Sequence, residues 1–168
     1  MEALGDDSVR RDTLREQGGF TLIEVLIVIV MIGVLLAIAA PSFVTFTASQ
    51  RVKTASFDLY AALTFARSEA IKRRQAVTVA PATGTDWATG WKVKDSGGTT
   101  LRSQDALSGV AFSGDSSIPY RLDGRLTGGP LRIEISPASA NSDVKNRCIR
   151  VELTGLPKST IKSGASCP

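Results

Sequence analysis

The stretch Gly19-Phe20-Thr21-Leu22-Ile23-Glu24, continued by the apolar run Val25 to Ala40 and followed by Pro41, decides how the rest of the chain is read. Phe20 to Ala40 holds 21 residues with a single charged side chain, Glu24. A helix rising ~1.5 Å per residue needs about this length to cross a hydrocarbon core about 30 Å thick. The run is longer than the roughly 7–15 apolar residues of a cleaved secretory signal, so it is expected to be kept as a membrane span. Glu24 is its anomaly. A carboxylate inside a spanning helix costs roughly 2.5–3.5 kcal/mol at the helix centre and less near an end. Two readings follow: an anchor whose Glu24 reaches the interface, or a helix whose Glu24 meets an opposite charge on a partner, two costly ions being tolerable as a pair.

With 168 residues, 43% hydrophobic and 21% charged, the chain has enough left beyond the apolar run for one domain on a stalk. There is no His, and the two Cys, Cys148 and Cys167, lie near the end. A histidine-based triad and a Cys/His metal site are thereby excluded, and no catalytic residue, cofactor or metal is expected.

Beyond Pro41 a helical period resumes. Val52, Ala55, Leu59, Leu63, Ala66 and Ala70 recur at steps of three or four and form one apolar face. The helix is expected from about Phe20 to about Arg74, and Lys72, Arg73 and Arg74 at its end offset the dipole or meet an acidic neighbour or DNA. From Ala76 the period changes. Short β-branched runs occur at Val77–Ala80, Trp91–Val93, Val110–Phe112, Ile118–Leu122, Leu131–Ile135 and Ile149–Leu153, separated by turn clusters such as Ser96-Gly97-Gly98 and Thr127-Gly128-Gly129-Pro130. Leu131, Ile133 and Ile135 alternate with Arg132 and Glu134, and Ile149, Val151 and Leu153 alternate with Arg150 and Glu152. This predicts an antiparallel sheet with one wet face, its dry face covering the helix stripe: an α+β fold. Trp87 and Trp91 read either as buried packing or as a stacking platform for bases or sugars. The stretch from Pro137 to Asn146, rich in Ser, Ala and Asn, reads as a solvated loop.

The residues GFTLIEVLIVIVMIGVLLAIAAP resemble the N-terminal signature of type IV pilins and of the pseudopilins of type II secretion. That resemblance implies cleavage by a prepilin peptidase between Gly19 and Phe20, N-methylation of Phe20, and pairing of Glu24 with the amino terminus of a neighbouring subunit during assembly. The run Ala66-Arg67-Ser68-Glu69-Ala70-Ile71-Lys72-Arg73 narrows it to the GspH/FimT branch, which includes FimU-like minor pilins; Trp87-Ala88-Thr89-Gly90-Trp91 and Tyr120-Arg121-Leu122-Asp123-Gly124-Arg125 resemble further stretches of that branch. It implies a pilin-like fold divided as 1–19 leader, 20–40 membrane and assembly half of the long helix, 41–75 amphipathic half, and 76–168 periplasmic β-rich domain. It also implies a minor pilin, without enzymatic activity, that helps assemble or initiate a type IV pilus near its tip. Alternatives are a minor pseudopilin of type II secretion and a DNA-binding pilin for natural transformation. The expected partners are the prepilin peptidase, other major and minor pilins or pseudopilins, and inner-membrane lipid. The expected location is the inner membrane, single-pass with a periplasmic C-terminal domain, and then the filament.

Two departures accompany the resemblance. Residues 1–19 hold Arg10, Arg11 and Arg15 against Glu2, Asp6, Asp7, Asp12 and Glu16, whereas pilin leaders are short and basic; translation from Val9 would restore the basic balance. Some FimT-like pilins bind DNA through a C-terminal G-R-x-R motif, and here the corresponding residues are Gly155-Leu156-Pro157-Lys158. Lys145, Arg147, Arg150, Lys158 and Lys162 face only Glu152 from Val144 onward, so they are the residues through which DNA phosphates would be met. In an oxidising periplasm Cys148 and Cys167 are expected to form a disulfide strapping the tail across the sheet's outer side, because Cys148 alternates onto the face of Arg150.

Overall fold

The structure, a computed structural model, describes residues 19–162 and Cys167. The expected leader, apart from Gly19, lies outside the described residues. Helix α1 (Leu22–Arg73) is followed by β1 (Val77–Pro81), a 3-10 turn (Trp87–Thr89), β2 (Trp91–Asp95), β3 (Thr100–Gln104), β4 (Val110–Gly114), β5 (Ile118–Tyr120), β6 (Leu131–Pro137), β7 (Arg147–Val151) and β8 (Pro157–Ile161). The chain divides into two units, Met1–Ala39 and Ala40–Pro168.

In the first unit every described side chain is exposed, and the helix is long and apolar enough to cross a membrane. So large a continuous apolar surface is stable against lipid or other protein, not against water.

In the second unit the helix carries on through Pro41 and its stripe meets the sheets. Val52, Ala55, Leu59, Leu63, Ala66 and Ala70 are all buried, as the period of the sequence requires. The helix closes with Arg74 in the left-handed region (φ 53°), where the Gln75 amide donates to the Ala70 carbonyl at 3.3 Å and the Arg74 amide to the Ile71 carbonyl at 3.4 Å. These two bonds satisfy carbonyls that the helix end would otherwise leave open.

The single sheet expected from the sequence is corrected to two four-stranded sheets, ordered β3-β2-β1-β5 and β4-β6-β7-β8, antiparallel throughout. The chain leaves the first sheet after β3, lays β4 in the second, and returns to place β5 beside β1. Both sheets turn a dry face inward. Val77, Val79, Trp91, Val93, Ile118 and Tyr120 come from one, and Ile133, Ile135, Ile149 and Val151 from the other, all in one core with the helix stripe. Trp91 and Phe112 join the sheets, with ring centroids 6.2 Å apart and planes at 73°, an edge-to-face arrangement favoured by the ring quadrupoles.

Strands β3 and β8 lie at sheet edges, and their sequences, TLRSQ and PKSTI, carry no alternating apolar face to announce them. The expected strands Ile118–Leu122 and Ile149–Leu153 stop early, at Tyr120 and Val151, because tight turns follow. The Gly124 amide donates to the Arg121 carbonyl at 2.8 Å and the Gly155 amide to the Glu152 carbonyl at 2.7 Å, which leaves Leu122 and Leu153 exposed. The segment expected to be a slack loop before β7 is instead tied down. Asn141 donates to the Thr45 hydroxyl at 3.3 Å, and Val144 is buried.

Leu59→Ala should destabilise the protein by about 3 kcal/mol through a cavity between helix and sheets, whereas Phe57→Ala, two residues away and exposed, should cost less than about 0.5 kcal/mol. Denaturant unfolding of the detergent-solubilised protein, followed by tryptophan fluorescence, reads both, since Trp87 and Trp91 are buried.

Candidate functional site

Gly19 and Phe20 precede the first helical turn and are fully accessible, 82% in the case of Phe20. The helix begins where Thr21 caps it. The Glu24 amide donates to the Thr21 hydroxyl at 3.3 Å and to the Thr21 carbonyl at 3.1 Å. The signal for this cap is Thr-x-x-Glu in the sequence, with the acid three residues after the cap. The cap fixes Glu24 in the first turn, where the positive end of the helix dipole eases a carboxylate. The Gly19–Phe20 bond thus stands on open backbone one turn from the acid.

At the other end of the helix, the stretch that narrows the family resemblance has a structural explanation residue by residue. Ala66 and Ala70 are core. Arg67 Nε donates to the Gly124 carbonyl at 3.2 Å, pinning the turn after β5. Glu69 accepts from Arg73 and lies 3.7 Å from Lys72 Nζ. The Arg73 hydrogen bond holds the Glu69 carboxyl below its ordinary range, against the opposing effect of burial. Gly124 (φ 73°) packs on Ile71, and Gly155 (φ 79°) sits so close to the Gly124 carbonyl that a side chain at either would overlap its neighbour. Of the Gly155-Leu156-Pro157-Lys158 stretch, then, the glycine serves packing. The Tyr120 hydroxyl is buried beside this knot with no partner among the described residues, and burial raises its pKa far above the ordinary value, with Arg67 opposing.

The tryptophan pair is packing. Trp87 and Trp91 are buried, with centroids 6.4 Å apart, and Trp87 Nε1 donates to the Asp115 carbonyl at 2.8 Å. No face is left on which a base or sugar could stack.

Cys148 and Cys167 are joined, with Cα atoms 5.6 Å apart. Cys148 stands in register with Glu134 and Thr160, on the side of the sheet that also carries Arg132 and Arg150. Arg132 donates to the Cys167 carbonyl at 3.3 Å, so Cys167 lies over the outer face. Glu134 completes the fastening. Lys162 Nζ lies 2.8 Å from both its oxygens and Asn146 Nδ2 2.8 Å from one, joining β6 to the entrance of β7 and the exit of β8. The Lys162 hydrogen bond is the main cause that lowers the Glu134 pKa, with Asn146 adding to it and burial opposing.

The five basic residues singled out in the tail do not converge on one surface. Lys162 is engaged by Glu134, and the exposed Lys145 lines the shallow hollow beside it. Arg150 is on the outer face, in register with Arg132 on one side and Lys158 on the other, with Glu152 3.1 Å from its Nε. Arg147 alternates with Arg150 and so falls on the inner side with Ile149 and Val151, at the margin near the helix, whereas Lys158 shares the outer face with Arg150.

Residues 55–155 match the family described as Type II transport protein GspH, and residues 14–40 match the Prokaryotic N-terminal methylation motif. A fimbrial protein of Pseudomonas aeruginosa is 36% identical over 78 residues, which are 46% of this chain and 51% of that relative. The chain thus spans about half the length of the relative it matches. Among solved structures, the type IV minor pilin FimU of Pseudomonas aeruginosa resembles it with a TM-score of 0.57 at 20% identity, over 73% of this chain and 96% of that one. The minor pseudopilin EpsH from the Type 2 Secretion System of Vibrio cholerae resembles it with a TM-score of 0.53 at 13% identity, over 66% and 97%. At these identities the two likenesses concern the fold.

Two measurements check the fastening of the tail. Cys167→Ser should lower stability by about 3 kcal/mol by releasing the unfolded chain from a closed loop, read as a fall in the denaturant midpoint relative to the oxidised parent. For Glu134, the folded pKa is depressed, so its contribution is fully present above its ordinary 4.5 and is lost as pH falls through the folded value. Glu134→Gln should therefore be less stable than the parent at pH 7 and converge with it as the solution is acidified below 4.5, in unfolding curves taken across that window.

Proposed function

This chain belongs to the GspH family of type II transport proteins, and from that premise we propose that it is a structural subunit of a pilus-type filament, a minor pilin without enzymatic activity. On this reading residues 1–19 are a leader removed by prepilin peptidase after Gly19, and Phe20 becomes the methylated amino terminus. Residues 20–40 are the half of the helix that spans the inner membrane and later packs in the filament, 41–75 the half that carries the domain, and 76–168 the β-rich domain, which faces the periplasm.

The single observation that carries the proposal is the contrast along one helix. Its first part exposes an unbroken apolar surface interrupted only by Glu24, while its second part buries a regular stripe in a folded domain. Such a helix is built to be stored in lipid and then covered by like helices, with Glu24 meeting the amino terminus of a neighbour. Since Glu24 is present, the subunit can dock on another and belongs just below the tip or along the filament.

A second reading, a minor pseudopilin of type II secretion, is favoured by the description of the matching family and by the likeness to EpsH. Both readings use the same cleavage, the same span and the same acid. The major subunit that co-purifies with the processed chain separates them.

The test is Glu24→Val in cells that make the filament. The variant should still fractionate with membranes and still be cut to a chain beginning at Phe20, by intact mass. Its amount in sheared filaments should fall about tenfold or more, because an assembly that relies on a charge pair loses it. Incorporation at the parental level would remove Glu24 from the mechanism.

A further inference from the structure

Between helix α1 and the edge strand β8 of the domain runs a groove of about 580 Å³, lined by Lys53, Ser56, Phe57, Tyr60, Arg147 and the strand residues 157–159. Its floor is closed by the Ser56 and Ser159 hydroxyls, 2.9 Å apart. Two cations converge on it from two elements, Lys53 from the helix and Arg147 from β7, while Lys158 borders it at the edge strand with its side chain on the outer face beside Arg150. No carboxylate lines it, and none lies within ion-pair distance of Lys53 or Arg147 among the described residues. Phe57 is 71% exposed and Tyr60, one turn on, 37% exposed, a pair of aromatic faces unusual on a surface helix whose other side is core. Among the described residues no strand pairs with the outer edge of β8.

We propose that this groove docks an acidic, extended segment of a partner polypeptide, which pairs with the open edge of β8 and sets its carboxylates against Lys53 and Arg147. Three features specify the occupant. Uncompensated positive charge from both the helix and β7 calls for an anionic partner. An open strand edge offers main-chain donors and acceptors that only another polypeptide in extended form can match residue by residue. Lys158, at that edge, discourages indiscriminate strand addition while favouring an acidic newcomer. Phe57 and Tyr60 give the alternate apolar side chains of such a segment a surface to cover. The site lies in the domain and acts separately from Glu24, so its failure leaves the proposed filament role untouched, and failure of that role leaves the groove standing.

The test uses the full chain in nanodiscs of uncharged phosphatidylcholine and a fluorescent eight-residue peptide alternating glutamate with valine, read by anisotropy at low salt. Saturable binding is expected. Replacing glutamate by glutamine in the peptide, or combining Lys53→Glu with Arg147→Glu in the protein, should weaken it about tenfold. Lys94→Glu, the same change of charge on the other sheet, should leave it unaltered. Phe57→Ala, at an exposed position that does not serve the core, should weaken it about threefold with the unfolding midpoint unchanged. A peptide N-methylated at alternate residues should lose binding, because it can no longer add to an edge. Equal binding by the glutamine peptide or by the double variant would overturn the proposal. Undiminished binding of the N-methylated peptide would overturn the strand pairing, and tighter binding of an eight-nucleotide oligothymidylate would give the groove to nucleic acid instead.

Discussion

The domain depends on one packing constraint: a helix stripe narrow enough for two sheets to reach it together. Ala55, Ala62, Ala66 and Ala70 keep the stripe shallow, while Leu59 and Leu63 supply the bulk at its centre, and all six are buried. Small residues let backbone approach backbone; the two leucines fill what lies between, at interior density. The other features answer to this approach. Gly124 must lack a side chain because Ile71 occupies the space, and Gly155 must lack one because Gly124 has been pressed against the helix. Arg67 then reaches the Gly124 carbonyl and holds the turn in place. A stretch that looks like a family label in sequence is in the structure a chain of steric consequences running from helix to turn to turn.

The same constraint explains what the residues reveal by themselves and what they hide. The helix, its stripe and its end are legible because the period of Val52, Ala55, Leu59, Leu63, Ala66 and Ala70 is the period of the contact itself. Inner strands such as Leu131–Pro137 and Arg147–Val151 are legible for the same reason, one side of each being dry. Edge strands Thr100–Gln104 and Pro157–Ile161 are not, since an edge is held by main-chain bonds to one neighbour and needs no apolar alternation. The division into two sheets is also invisible locally. It is decided by where β4 and β5 find partners, at a distance along the chain that no short window contains.

At the sites, the outcome divides by whether a residue acts through its neighbours in sequence or in space. Gly19, Phe20 and Glu24 are defined by spacing alone, and Cys148 and Cys167 by being the two cysteines present. The basic residues of the tail belong to the other kind. Counted along the chain they form a cluster, but pleating sends Arg147 and Arg150 to opposite faces, and Glu134, distant in sequence, claims Lys162. Net charge over a segment measures what is available, not where it points. Lys53, contributed by the helix, joins Arg147 at one groove although it lies almost a hundred residues away.

Within the domain Glu69, Glu134 and Glu152 each find a cation in the folded chain, in Arg73, Lys162 and Arg150. For Glu24 no such side chain lies within ion-pair distance among the described residues. After Arg15 the next basic residue is Arg51, about 40 Å further along a helix at 1.5 Å per residue. If residues 1–19 are removed, as proposed, the positive group nearest in sequence is the amine created at Phe20, one helical turn from the acid in the same chain and open to an acid in the next. Before cleavage that amine does not exist, because its nitrogen is part of the Gly19–Phe20 peptide bond. On the proposed pairing the acid makes docking conditional on processing: an uncut subunit would bring a carboxylate into lipid without supplying the cation that its neighbour's carboxylate would meet. A purely apolar helix would anchor the domain equally well and would carry no record of whether the leader had been removed.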